Sequence, residues 1–386
     1  MKIVHALPAL IKGGGERVAV DLANAAAKDG HKVTILAVYK VDDNLLRNKL
    51  SKDIDVKYII PGVSHKILRY FAGLPWIWKN KKWLASQDIL HIHMTQAAIY
   101  GTLIYFLRLV MRSDQPAIVE TIHSVGMSVP FWKRKLYAWM CNWRDGVVLM
   151  AKDNFWQSFM DKHNDLPIEL IANGVDSPYG KVSDKTQEDY RKKSQIPKSC
   201  SIIFGTVGQF RTDRRPLVTA SIFSQLAEKL PVNVHFLMVG DGTELDLVQR
   251  EISNSNLEAR IHTPGLAHNP RIPMSVMDLY LAINVGPITG IAALEAAFTG
   301  IPIIALQNDI NYKSGEDDWI WSHHDPKVVA EFAAKLIVSP EARSNLAKNQ
   351  SEYIQSNLTV EITHVKYTSF YNKVLKNIHN NDIIRG

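Results

Sequence analysis

Short runs of β-branched and other apolar residues alternate along the chain with longer stretches of helical period, the alternation that builds parallel α/β sheets. Six such runs fall in the first half, at 2–5, 32–36, 56–60, 89–92, 117–121 and 146–149, with helical stretches such as 16–28 and 95–110 between them. A polar stretch at 177–199, rich in Lys, Ser, Asp and Gln, interrupts the series and reads as an interdomain linker. Five more runs follow, at 201–206, 233–239, 260–262, 279–283 and 302–305. Residues 340–378 read as two further helices, the second of which carries Tyr367, Phe370 and Tyr371 at a spacing that suits packing on a core. The pattern predicts an α/β protein of two Rossmann-like domains facing each other, with a ligand in the cleft between the carboxyl ends of their strands.

Composition narrows the class. The 386 residues are 46% apolar and 22% charged, which excludes disordered and collagen-like chains and leaves length for two cored domains. Cys141 and Cys200 are too few for a disulfide framework and have no spacing for a structural zinc site. The longest apolar run, 97–111, is broken by Arg108 and too short to span a bilayer. The net charge of +7 is one-sided: residues 1–180 hold 23 Lys and Arg against 16 Asp and Glu, and residues 181–386 hold 22 of each. Such an imbalance points to a polyanionic partner met by the first half, either nucleic acid or an anionic membrane.

Three loops carry candidate chemistry. Gly13-Gly14-Gly15-Glu16-Arg17 follows the first strand and opens a helix, whose free amides and positive dipole end suit a phosphate or sugar. It fails as a dinucleotide fingerprint because Val18 stands at the third glycine position. Gly208-Gln209-Phe210-Arg211-Thr212-Asp213-Arg214-Arg215 follows the first strand of the second half, and its arginines suit a diphosphate. The segment from Val285 to Pro302 runs through Pro287, Thr289 and Gly290 into a small-residue helix whose lone carboxylate, Glu295, calls for a partner such as ribose hydroxyls.

Taken in order, Gly13 to Arg17, Thr121-Ile122-His123, Asn173-Gly174-Val175-Asp176, Val207-Gly208 with its arginines, Val239-Gly240-Asp241-Gly242 and Leu294-Glu295-Ala296-Ala297 resemble the retaining glycosyltransferases of family 4, which have the GT-B fold. The resemblance implies domains at 1–180 for the acceptor and 181–358 for a nucleotide sugar, with a C-terminal helix at 359–386 crossing back to the first domain. It implies that His123 is the catalytic-site histidine contacting the donor sugar, and that Gly14, Gly15, Arg211, Arg214, Gly290 and Glu295 bind the donor. Two departures stand out: Pro287 replaces the first glutamate of the family's paired motif, and Gln209 replaces its phosphate-binding arginine, for which Arg211 substitutes. Arg215 replaces the glycine usual after the position of Arg214. The implied chemistry is metal-independent donor cleavage with retention, without a cofactor, since the nucleotide sugar is a substrate. Asp53-Ile54-Asp55 reads as surface charge rather than a metal site. The alternatives are a catalytically degenerate GT-B scaffold and a nucleotide-sugar epimerase.

Two windows concentrate the first half's charge. Residues 62–84 carry Lys66, Arg69, Lys79, Lys81 and Lys82 among Tyr70, Phe71, Trp76, Trp78 and Trp83, and residues 125–144 carry Lys133, Arg134, Lys135 and Arg144 among Phe131, Trp132, Trp139 and Trp143. Tryptophan beside Lys and Arg is the composition of an interfacial contact with anionic lipid, with Lys79, Lys81, Lys82, Lys133 and Arg134 as the contacting cations. The expectation is a cytoplasmic enzyme, peripheral at the inner membrane face, acting on a lipid-linked or oligosaccharide acceptor in lipopolysaccharide or surface-polysaccharide synthesis, and not on nucleic acid.

Overall fold

The computed structural model describes every residue except 12, 42–45, 61–71, 124–129, 152–153, 177–180, 285–287, 309–318 and 386, and the backbone alone at 154 and 381–385. The chain divides into two compact units, Met1–Gly174 with Val360–Gly386, and Val175–Thr359.

In the first unit, strands β1 (Lys2–Leu7), β2 (Lys32–Tyr39), β3 (Asp55–Ile60), β4 (Ile89–His93), β5 (Ala117–Ile122), β6 (Gly146–Leu149) and β7 (Ile168–Leu170) form one sheet in the order β3-β2-β1-β4-β5-β6-β7. Every pairing is parallel. Helices α1 (Gly14–Lys28), α2 (Leu74–Lys79), α3 (Lys81–Ala85), α4 (Thr95–Val110), α5 (Phe131–Cys141) and α6 (Asn154–Lys162) provide the connections. Central strands β4 and β5 are buried along their whole length, which is why they read as unbroken apolar runs rather than alternating ones.

The second unit repeats the plan. It comprises α7 (Asp184–Lys193), β8 (Ile202–Val207), α8 (Pro216–Lys229), β9 (Val234–Val239), α9 (Leu245–Asn254), β10 (Ile261–Gly265), α10 (Arg271–Met274), β11 (Leu279–Asn284), α11 (Ile291–Phe298), β12 (Ile303–Gln307), β13 (Ser322–His323), α12 (Pro326–Val338) and α13 (Pro340–Asn357). Its strands pair in parallel in the order β10-β9-β8-β11-β12-β13. Both sheets therefore have the doubly wound order, with a switch point between β1 and β4 in the first unit and between β8 and β11 in the second. The final helix, α14 (Val360–Arg385), packs in the first unit, where Tyr367, Phe370 and Tyr371 are buried.

One expectation needs correction. The supposed linker at 177–199 contains α7, a ten-residue helix with no buried residue. Its signals are local rather than periodic: the Ser183 hydroxyl accepts from the Thr186 amide, Asp184 sits in the first turn, and Arg191, Lys192 and Lys193 occupy the last. An exposed Glu188–Lys192 pair at 3.0 Å adds i,i+4 support. The short edge strands β7 and β13, of three and two residues, carry too little pattern to be read from sequence.

Candidate active site

In the first unit, Gly13 to Gly15 open α1 directly after β1, on the carboxyl side of the switch point. A Cβ on Gly15 would stand 3.1 Å from the Met94 sulfur and 3.5 Å from His123 Cγ, so glycine lets α1 approach the ends of β4 and β5. Met94 joins β4 to α4 at φ +66°, an unfavourable backbone for methionine held at this turn. Glu16 folds its carboxylate back over Gly13 and accepts from its own amide; burial nonetheless pushes its carboxyl above the usual range. The N-terminus of α1 thus already holds a carboxylate of its own.

His123 follows β5 and ends a chain of imidazoles. His123 Nε2 lies 3.0 Å from His93 Nδ1, and His93 Nε2 lies 3.1 Å from His5 Nδ1. Strand register explains the convergence: His5 pairs with His91 across β1 and β4, and His91 and His93, two apart, share one face. His91 is held by the Thr121 hydroxyl at 2.7 Å and by Tyr371 at 2.7 Å, while Thr121 also meets the Tyr367 hydroxyl at 2.9 Å. Burial disfavours every imidazolium here, pulling His5 down to about 3 and His123 to about 4, with His91 and His93 well below the usual value.

Neutral imidazoles have one donor each, so the chain's protons are linked. His5 Nε2 is buried without a partner. An orphaned buried N–H is rarer than an unused acceptor, which assigns the His5 proton to Nδ1 and the His93 proton to Nδ1. His123 Nε2 then accepts, and its proton is on Nδ1. The sequence reading selected His123 but not His5, His91 or His93, although the His-x-His spacing in a strand was a usable signal.

In the second unit the arginine loop follows β8. Gly208 and Phe210 are tied to the next loop: Gly208 N donates to Val239 O at 3.0 Å and Phe210 N to Asp241 O at 2.9 Å. A Cβ on Gly240 would overlap the Gly208 carbonyl oxygen, so this motif serves loop packing. Arg211 is not an open cation: its Nε and Nη2 reach the two Asp213 oxygens at 2.9 and 2.8 Å. The pairing holds the Asp213 carboxyl below its usual range and raises Arg211. Arg214 Nε lies 3.9 Å from the same carboxylate. Arg215 adopts φ +48° and ψ +47° before α8, the left-handed conformation that suits the glycine expected there.

Gly290 caps α11, with open space where its Cβ would be, and Glu295 is buried on that helix. Burial pushes the Tyr280 phenol up to about 12, with the Glu295 charge a smaller contribution; its hydroxyl donates to Val207 O at 2.9 Å. The Asn308 side-chain amide donates to Asp213 O at 3.0 Å, which ties the end of β12 to the arginine loop. Arg211, Arg214, Gly290 and Glu295 therefore lie on elements leaving the switch point of one sheet, while Gly14 and Gly15 follow β1 at that of the other and His123 follows β5, the strand beside β4. Pro287 is outside the described residues.

The Glycosyltransferase Family 4 profile matches residues 12–177, and the profile of Glycosyl transferases group 1 matches residues 201–339. The chain belongs to glycosyltransferase family 4. This family 4 protein has solved structural neighbours with the GT-B architecture. Anabaena HepE in complex with UDP and glucose superposes with TM-score 0.74 at 16% identity, over 97% of this chain and 100% of that one. A Rickettsia africae glycosyltransferase gives 0.72 at 17% identity over 97% and 99%, and sucrose-phosphate synthase from Thermosynechococcus elongatus 0.71 at 16% over 97% and 99%. No curated protein sequence matches the chain significantly.

The basic windows divide on inspection. Trp78 on α2 and Phe131, Trp132 and Trp139 on α5 are 57%, 64%, 63% and 50% exposed, so these rings are not packed in the core, whereas Met140 of α5 is. Lys79, Lys82 and Lys133 are also exposed, and Lys81 stacks 3.6 Å over the Trp78 ring. Arg134, half-buried, lies 6.0 Å from the Phe155 ring. Arg144, in contrast, is a core residue paired with Glu120 at 2.7 Å and not a surface cation. Lys66, Arg69, Tyr70 and Phe71 lie outside the described residues. Among the described residues no helix is long and apolar enough to cross a membrane.

Proposed function

We propose that this family 4 glycosyltransferase is a retaining enzyme that moves a sugar from a uridine diphosphate donor to a lipid-linked or oligosaccharide acceptor at an anionic membrane surface. The observation that carries the donor part is the grouping of Arg211, Arg214, the α11 N-terminus at Gly290 and buried Glu295 on elements leaving one switch point. HepE is a UDP complex with a related fold, which favours UDP among the nucleotides. In this reading Glu295 holds the ribose, and Arg214 with the α11 dipole meets the charge of the leaving diphosphate. Arg211 joins them once its contact with Asp213 is exchanged for phosphate oxygens. His123, a neutral imidazole with its proton on Nδ1, orients a sugar hydroxyl by hydrogen bonding rather than by charge. Gly14 leaves open space at the start of α1, and Gly15 lets α1 pack closely on Met94 and His123. No cofactor takes part, and the cations take the role that a divalent ion has in other transferases.

The exposed tryptophans with Lys79, Lys81, Lys82, Lys133 and Arg134 support the membrane part, since each cation near anionic lipid contributes about 1 kcal/mol. A related fold belongs to WaaG, a glycosyltransferase involved in lipopolysaccharide biosynthesis, at 15% identity and TM-score 0.63. This favours a cell-surface glycolipid or polysaccharide as product and the cytoplasmic membrane face as the place of action.

A thermal-shift series with UDP, GDP, ADP and their sugars tests the donor, because a ligand of the folded state raises the unfolding temperature. UDP stabilisation and donor hydrolysis, both lost in Glu295→Ala, are expected. Stabilisation by no nucleotide would favour a scaffold that has lost donor binding, the reading motivated by Gln209 and Pro287. Sedimentation with anionic vesicles tests the membrane: binding that is unchanged when Lys79, Lys81 and Lys82 are neutralised would refute that part.

A further inference from the structure

At the far end of α1 from the glycines, three side chains converge that donor binding does not use. Asp29 caps the C-terminus of α1, His31 leads into β2, and His364 lies near the start of α14. His364 Nε2 is 3.1 Å from Asp29 Oδ2, and His31 Nε2 is 3.5 Å from the same oxygen. All three ligand atoms lie within 4.8 Å of one another. His31 Nδ1 is 3.1 Å from the Met1 nitrogen, which orients the ring with Nε2 toward Asp29. Yet His31 Nε2 is buried and makes no hydrogen bond, because its approach to the carboxylate misses bonding geometry.

The spacing has a simple chemical meaning. Zinc bonds of about 2.0 to 2.1 Å in a tetrahedral site separate neighbouring ligand atoms by about 3.4 Å. Two of the three donor separations, 3.1 and 3.5 Å, straddle that edge, and the third lies within 4.8 Å. Two imidazoles and a carboxylate suit zinc or a similar divalent transition ion. Asp29 is exposed, so water can complete the coordination.

A second histidine group, His5, His91 and His93, is also compact, but it differs in kind. His91 and His93 already use both ring nitrogens in hydrogen bonds, and a dication in that carboxylate-free core would be poorly compensated.

We propose that Asp29, His31 and His364 form a binding site for a divalent transition-metal ion of the zinc class, which fastens the start of α14 to the end of α1. The site joins residues 335 apart in sequence, which is why no local motif announces it. Its role is structural and separate from donor cleavage, so activity is not its readout.

The 386-residue protein, stripped of metal, is titrated with zinc chloride by calorimetry alongside Asp29→Asn and His364→Ala, and its unfolding temperature is followed with and without zinc. Cobalt(II) in place of zinc supplies a ligand-field spectrum that reports coordination directly. One equivalent of zinc, a zinc-dependent rise in unfolding temperature, and a loss of affinity beyond about tenfold in each variant are expected, since even a second-shell change costs about that much. Asp29→Asn keeps the shape of an exposed side chain and should fold as the wild type does. No zinc binding by the wild type, or binding unchanged in Asp29→Asn, overturns the proposal.

Discussion

Arg144 separates two readings of the same basic residue. In the sequence it belongs to a Trp-rich cationic window, whereas in the structure its side chain is 0% exposed and its partner Glu120 is 2% exposed. Arg144 donates to Glu120 Oε2 at 2.7 Å, to the Thr102 hydroxyl at 3.1 Å, and to the carbonyls of Trp143 and Ala98 at 2.9 and 2.8 Å. Arg144→Met keeps the apolar stem but takes a donor from four acceptors, of which Ala98 O keeps the Thr102 hydroxyl at 3.1 Å, and leaves the Glu120 carboxylate unpaired. Burial already pushes the Glu120 carboxyl up against the opposing pull of Arg144, so losing the guanidinium drives it higher still. Breaking one side of a buried pair costs about 3–5 kcal/mol. For a unit of about 200 residues, where each kcal/mol moves the midpoint by about 2–4 °C, the fall in Tm should be on the order of 10 °C. Thermal and urea unfolding of Arg144→Met measure it, and Glu120→Leu with Arg144→Met should recover most of the loss, because a packed apolar pair needs no charge compensation. A stability loss below about 1 kcal/mol, combined with weaker sedimentation on anionic vesicles, would refute the reasoning and return Arg144 to the surface.

Three further outcomes follow from the same structure. The unfolded chain takes up protons on His5, His91, His93 and His123 below about pH 6.5, but the folded chain resists until about pH 3 at His5 and about pH 4 at His123. Stability is therefore unaffected by these groups above pH 6.5 and falls below it, by up to about 1.4 kcal/mol per pH unit for each histidine; urea midpoints that stay flat from neutrality to pH 5 would contradict their burial. Arg215→Gly should stabilise the second unit by about 1 kcal/mol in thermal unfolding, since the left-handed conformation costs an L-residue about that much and the Arg215 contacts to Gln307 and Asn308 are long, at 3.4 Å; destabilisation would show that those contacts outweigh the strain. Asp213→Asn frees Arg211 and should tighten UDP up to about fivefold in calorimetry, the equivalent of the ~1 kcal/mol an exposed ion pair holds; unchanged affinity would mean that Arg211 does not reach the phosphates.

What the sequence determined was periodic or local. The central strands β1, β4 and β5 are buried on both faces and so appear as apolar runs, and α4 reads correctly end to end because its apolar positions recur at helical spacing. The family motifs are likewise contiguous, so the donor site proposed at Gly14, Gly15, His123, Arg211, Arg214, Gly290 and Glu295 is a reading of sequence motifs. The tertiary structure decided what these residues touch. Strand register alone brings His5 beside His91, and strand pairing with α14 builds a buried chain from His5 to His123 and from Thr121 to Tyr367. It also paired two charges that a sequence shows only as present, Arg144 with Glu120 in the core and Arg211 with Asp213 at the surface. Helix α7 escaped because its one aromatic, Tyr190, packs against the second unit's core as a single position, which makes no stripe to detect, and the rest is polar and held by caps and charges. The Asp29–His31–His364 cluster is the extreme case: composition and spacing are blind to it, because the donors meet only once α14 has folded back against α1. Pattern is a one-dimensional record of burial, while chemistry depends on which buried and exposed groups face each other, and that is settled only when the strands choose their neighbours.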